Sequence, residues 1–131
     1  MNEQQALALV TQYVEGWKNN RPEQILAALT PECLIIESHG PTYRGRDHIR
    51  QWITGWFREG GSIQLWDITS FMYAHNAAAF EWAFECTGIW GSAAFDGMTV
   101  VRFDAELIAY LREYRCTETP YIWSPETALE A

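Results

Sequence analysis

From Cys33 to Ile53 the chain reads CLIIESHGPTYRGRDHIRQWI. An apolar run reaches Glu37 and His39, a Gly40-Pro41 turn follows, and the next residues take up a helical period. Ile49, Trp52, Ile53, Trp56 and Phe57 then recur at i, i+3, i+4, i+7 and i+8, an apolar helix face closed by Gly60-Gly61. A short strand over 34–38 therefore hands a carboxylate and an imidazole to the edge of an aromatic surface. Desolvation there moves pKa values toward neutrality, which suits a site that moves protons.

Toward the N-terminus, Asn2 and Gln5 have the spacing of a capping box, and Leu7, Val10, Val14 and Trp17, with Tyr13 beside them, predict a helix over 3–19. Pro22 suits the first turn of a short second helix over 23–29, which Thr30-Pro31 ends. After Ser62, β-branched and aromatic residues dominate. Turn signals at His75-Asn76, Gly91-Ser92, Asp96-Gly97 and Asp104-Ala105 divide them into four antiparallel strands over 63–73, 77–90, 98–104 and 107–117. Three helices and a short strand followed by a meander is an α+β layout with helices on one sheet face.

Composition narrows the partners. The net charge is −8, with eight Arg, one Lys and no basic run, so a phosphate backbone is repelled and nucleic acid is excluded as a partner. No run approaches the ~18 apolar residues of a membrane span, and the first residues lack the basic start and apolar run of a signal peptide, so a cytoplasmic protein without membrane contact is expected. Cys33, Cys86 and Cys116 form no C-x-x-C pair and read as buried free thiols. His39, His48 and His75 form no H-x-x-x-H, and no phosphate loop, nucleophile elbow or dinucleotide fingerprint occurs. The expectation is a chain with neither cofactor nor metal. With 15% aromatic residues, a hollow interior lined by rings is favoured.

These segments resemble the nuclear transport factor 2-like superfamily, the cone-shaped fold of ketosteroid isomerases, SnoaL-like polyketide cyclases, scytalone dehydratases and limonene epoxide hydrolases. The carriers are the helical pair ending at Leu29-Thr30-Pro31, the strand-turn-helix from Ile36 to Ile49, the segment Phe95 to Asp104 and the closing strand Ile108 to Tyr114. The resemblance implies one domain over 1–131 with an irregular tail over 118–131. Three N-terminal helices would pack on a strongly curved, mostly antiparallel sheet that encloses an apolar pocket. It also implies a homodimer through the outer sheet face. Glu37 stands where ketosteroid isomerases keep their carboxylate base, and Thr99 falls near their neutral proton-donating acid. Leu111-Arg112-Glu113-Tyr114 is similar to the Trp-Arg-Asp-Tyr run of epoxide hydrolases, which makes Glu113 a catalytic candidate. The arginine-aspartate pair of those enzymes has no match in Phe80-Glu81-Trp82-Ala83-Phe84-Glu85.

The implied activity is that of a lyase, isomerase or cyclase on a small apolar carbonyl compound, with Glu37 as base and His39 as its partner or acid. A non-catalytic module holding a hydrophobic ligand and an epoxide hydrolase are the alternatives. Tyr13, Trp17, Trp52, Trp56, Trp82, Thr99 and Tyr114 are the candidate pocket residues. Other roles stay open at this level. Glu37 also reads as a rim carboxylate paired with Arg44 or Arg46, behind its functional reading, and Glu113 equally as a cross-strand partner of Arg102. Either Glu81 and Glu85 or Trp82 and Phe84 face the pocket, because a strand alternates its faces.

Overall fold

Asn2 caps the first helix, α1 (Glu3–Lys18), by accepting the Gln5 N–H at 2.9 Å, while the Gln5 side chain accepts the Asn2 N–H at 2.8 Å. In this computed structural model, which describes residues 1–126, α1 buries Ala6, Val10, Tyr13, Val14 and Trp17. Pro22 opens α2 (Pro22–Ala27), where its missing N–H costs nothing. The helix stops short of Thr30-Pro31, because β1 (Leu29–Ile36) already begins at the fully buried Leu29. Pro31 donates no ladder hydrogen bond, and the β1 register shifts between Leu29 and Leu34. A strand over 34–38 was thus too short at its start and too long at its end.

Glu37 follows β1 in a turn. Its N–H donates to the Pro41 carbonyl at 2.9 Å and its own carbonyl accepts the Gly40 N–H at 3.0 Å. The turn leads into β2 (Thr42–Arg44), which the sequence pattern did not show, and then into α3 (Arg46–Arg58). The Arg46 guanidinium donates to the Leu29 carbonyl, which ties the start of α3 to β1. Arg50 of α3 pairs with Glu23 of α2.

Four long strands follow: β3 (Ser62–Ala74), β4 (Ala77–Gly88), β5 (Gly91–Asp104) and β6 (Leu107–Arg115). They pair antiparallel in sequence, and β6 then lies parallel to β1, giving the order β2-β1-β6-β5-β4-β3 in one curved sheet. The helices cover its inner face. Asp96-Gly97, expected to be a turn, lies inside β5. A Cβ at Gly97 would stand 2.3 Å from the Tyr114 carbonyl oxygen and 2.5 Å from the Trp82 ring, so the glycine serves packing rather than chain reversal. The β5–β6 turn places Ala105 and Glu106 at φ 50° and 62°, the left-handed conformation that favours Asn and Gly.

The alternation along β4 resolves which face points inward. Trp82 and Cys86 are buried and Phe84 packs against the core, while Glu81 and Glu85 are exposed on the outer face. Of the irregular tail expected over 118–131, residues 118–124 carry no helix or strand, and 127–131 lie outside the described residues.

Candidate active site

The helices and the inner sheet face enclose an open cavity of about 700 Å³. Six of the seven tryptophans line it: Trp17, Trp52, Trp56, Trp66, Trp82 and Trp90. They support one another at ring spacing, with Trp17 4.8 Å from Trp52 and 5.6 Å from Trp56 between α1 and α3. Trp66 meets Trp82 edge-on at 6.3 Å between neighbouring strands. Trp82 also donates its indole N–H to the Thr99 hydroxyl at 2.8 Å. The indole N–H of Trp66 is buried in the cavity wall with no hydrogen-bond partner among the described residues.

Glu37 enters this cavity from the end of β1. Its Oε1 accepts the Tyr43 hydroxyl at 2.7 Å, and Tyr43 is held by stacking on Trp52 at 4.4 Å with 10° between the planes. Burial and then the bond to Glu37 raise the Tyr43 pKa, so the phenol stays a donor. Its Oε2 lies 3.5 Å from His39 Nδ1. The two side chains differ in setting: Glu37 is 19% exposed and His39 69%, so His39 stands at the rim. Among the described residues no arginine pairs with Glu37, and Arg46 is committed to the Leu29 carbonyl.

Glu113 reaches the same cavity from β6. It sits directly across from the buried Thr99 of β5 and keeps solvent contact only in part. Burial, and after it the charge of Glu37, pushes the Glu113 carboxyl up to about 8. No cation or donor offsets either effect. The group is therefore mostly protonated at neutral pH and can donate a hydrogen bond. Tyr13, also lining the cavity, has its pKa raised well above the usual phenol value by burial first and by Glu113 second, with Trp17 acting weakly the other way. Two neutral O–H groups thus stand near one carboxylate.

Among the expected site residues, Tyr13, Trp17, Glu37, His39, Trp52, Trp56, Trp82 and Glu113 line one cavity. Two do not. Tyr114 alternates to the outer face, 43% exposed and beneath the Arg112 guanidinium at 5.1 Å, because the inward positions of β6 are Glu113 and Arg115. Thr99 is 1% exposed and its hydroxyl is occupied by Trp82, so it positions a ring rather than meeting a ligand. Arg102 lies over Tyr110 at 4.9 Å, which removes it as the partner of Glu113. Trp66, Phe95 and Arg115 also line the cavity and were not singled out in the sequence. Arg115 shares a face with Glu113 by the period of two, a signal that was available.

Cys33 and Cys86 are buried thiols, Cys33 pushed up to about 12 by burial; Cys116, in contrast to the expectation, is exposed. Among the described residues, no three His, Cys, Asp or Glu side chains are grouped so as to hold a metal ion, and no helix is long and apolar enough to cross a membrane.

A helix-backed, curved sheet around an aromatic cavity that holds two carboxyl groups defines the class as cone-fold proteins of the nuclear transport factor 2 type. Within that class the chain belongs to the SnoaL-like domain family, whose model matches residues 10–111. Solved structures of similar fold include an LEH-like epoxide hydrolase from M. tuberculosis, 15% identical over 87% of this chain and 84% of that one, with a TM-score of 0.77. A protein of Pseudomonas putida KT2440 designated a polyketide cyclase is 16% identical over 83% of this chain and 90% of its own, with a TM-score of 0.74. A protein of Catenulispora acidiphila with a ketosteroid isomerase-like fold, in complex with trimethylamine, is 19% identical over 81% of this chain and 83% of its own, with a TM-score of 0.70. No curated protein matches the chain significantly.

Proposed function

We propose that the chain is a cofactor-free acid/base enzyme, an isomerase, lyase or cyclase, acting on a small apolar metabolite that contains a carbonyl group. The observation that carries this is the pair of carboxyl groups facing one aromatic cavity, Glu37 bonded to Tyr43 and Glu113 half-buried without a donor. A carboxyl held protonated by its surroundings beside one that accepts a tyrosine hydroxyl provides an acid and a base. Glu37, oriented by Tyr43, takes the proton from the carbon next to the carbonyl. Glu113, with Tyr13 beside it, donates a hydrogen bond to the oxygen on which negative charge develops. The proton on Glu37 then returns to a different carbon; or the carbanion adds to a second carbonyl of the same molecule, opening its C=O π bond to an alkoxide that takes the proton from Glu37; or it expels a leaving group, which takes that proton. His39 acts on Glu37 from the rim, and the acid role assigned to it from sequence passes to Glu113.

The aromatic wall excludes water from the reacting atoms and supplies the apolar contact area. A binding module without chemistry is favoured by a filled cone or an exposed Glu37; the open cavity and the 19% exposure of Glu37 support catalysis instead. The P. putida relative's designation as a cyclase agrees with this. Epoxide opening has less support, because the cavity-facing side chains of β4 include Trp82 and Phe84 where those hydrolases use an arginine-aspartate pair. The three free cysteines suit a cytoplasmic setting. Self-association would use the outer sheet face, where Met72 is 67% and Tyr114 43% exposed; a monomer by light scattering at micromolar concentration contradicts it.

A panel of small cyclic and aryl ketones in D₂O, followed by NMR, tests the chemistry. Catalysed deuterium exchange or conversion that is lost in Glu37→Gln is the expected result. Turnover that Glu37→Gln leaves within about threefold of wild type removes Glu37 as the base, since losing a general base costs ~10²–10⁴-fold.

A further inference from the structure

Of the side chains lining the cavity, Arg115 alone carries a fixed positive charge. β6 alternates Arg112 and Tyr114 outward with Glu113 and Arg115 inward, so the last inward position of the strand brings a guanidinium to the cavity edge. Arg102 and Arg112 also stack on aromatic rings, but on the outer face, over Tyr110 and Tyr114. Arg115 is different in place and in fit: its Cζ stands 3.9 Å above the centre of the Phe95 ring, within the cavity lining. A guanidinium stacked on a ring keeps its N–H groups at the edge of its plane, where they donate sideways.

Those donors are unused. In a chain of net charge −8, the Arg115 side chain makes no ion pair and no hydrogen bond among the described residues. Its charge also reaches Cys86 in the cavity wall, while the side chain itself stands exposed at the cavity mouth. It has no place among the groups that lift the Glu113 pKa or offset it, which sets it apart from the acid/base pair.

We infer that Arg115 forms an anion subsite at the mouth of the cavity, and that the ligand is a ring compound carrying a carboxylate. This deepens the acid/base function proposed above and rests on it for the identity of the reacting end. The apolar body lies among the tryptophans, the carboxylate pairs with the guanidinium fork, and the carbonyl end reaches Glu37 and Glu113. The planar fork matches a carboxylate through two parallel N–H donors, which a lysine in its place does not. Arg115 is exposed to water, so the pair is worth at most about fivefold in affinity, and that gain falls with salt.

Calorimetric titration with 2-naphthoate and with its uncharged amide, 2-naphthamide, tests the subsite without needing turnover. Wild type is expected to bind naphthoate about fivefold more tightly than the amide at low salt, with the difference shrinking at high salt. Arg115→Gln is expected to remove the difference while leaving amide affinity within twofold, and Arg115→Lys to restore part of it. Equal affinities in wild type, a preference for naphthoate that survives Arg115→Gln, an equal loss for both probes, or no naphthoate binding at millimolar concentration each overturn the subsite. Failure here leaves the Glu37 exchange experiment untouched, and failure there leaves this preference standing.

Discussion

At the edge of the cavity Glu37 accepts a 2.7 Å hydrogen bond from Tyr43 and faces His39 at 3.5 Å, whereas Glu113, across from Thr99, faces the same space with burial and the charge of Glu37 acting on it unopposed. The contrast comes from where each carboxyl leaves the backbone. Glu37 stands in a turn at a strand end, within reach of a tyrosine from β2 and a histidine from the same turn. Glu113 stands inside a central strand whose same-face neighbours include Leu111 and Thr99, neither of which hydrogen-bonds to it. Two identical side chains thereby stand in different settings, which the proposed function assigns to a base and an acid.

Replacing either group tests the contrast most severely. Glu37→Gln should lower kcat/KM by ~10²–10⁴-fold at every pH, because the base is gone. Glu113→Gln should lower it by about 10²-fold and also change the shape of the pH profile. In wild type, activity should fall as pH rises through about 8, where Glu113 loses its proton, and this limb should vanish in Glu113→Gln. A profile that keeps the limb in the variant assigns it to another group.

The same titration appears in stability. Between the ordinary carboxylate value and about 8, the folded chain holds a proton on Glu113 that the unfolded chain has released. The contribution of this group is therefore fully present below the unfolded pKa and lost as pH rises through the folded one. Thermal melts should show Glu113→Gln gaining on wild type from pH 5 to pH 8. A gap that narrows over that range contradicts a raised Glu113.

Tyr43→Phe should cost about tenfold in kcat, since a hydrogen bond to a charged group is worth about 1.5–3 kcal/mol and the ring stack on Trp52 remains. A KM effect alone would make Tyr43 a wall residue. The smallest change is a control remote from both carboxyls. Glu106→Gly should raise stability by about 1 kcal/mol, read by chemical denaturation, by relieving the left-handed φ of 62°, and should leave activity unchanged.

Much of the fold was legible because its signals are local. The capping box at Asn2 and Gln5, the apolar face of α3 and the period-two strands each state their own structure. Errors fell where distant contacts decide. Asp96-Gly97 has the chemistry of a turn, yet the Trp82 ring and the Tyr114 carbonyl occupy the space of a Cβ there, and neither neighbour is local. Thr30-Pro31 has the chemistry of a stop, yet Leu29 already pairs with Ile108. For the site, Glu37 was readable as a carboxylate at the end of an apolar strand. Which face of β4 points inward was not readable, since both faces carry plausible side chains, and Glu113 gained its proton only from burial that the sequence does not display.

The direct test is a carboxyl titration by ¹³C NMR with glutamate labelled at Cδ. One resonance should titrate with a midpoint of about 8, disappear in Glu113→Gln, and move to lower pH in Glu37→Gln, where the repelling charge is removed. If every glutamate has released its proton by pH 6, Glu113 is an ordinary carboxylate and the division of the two groups into base and acid is wrong.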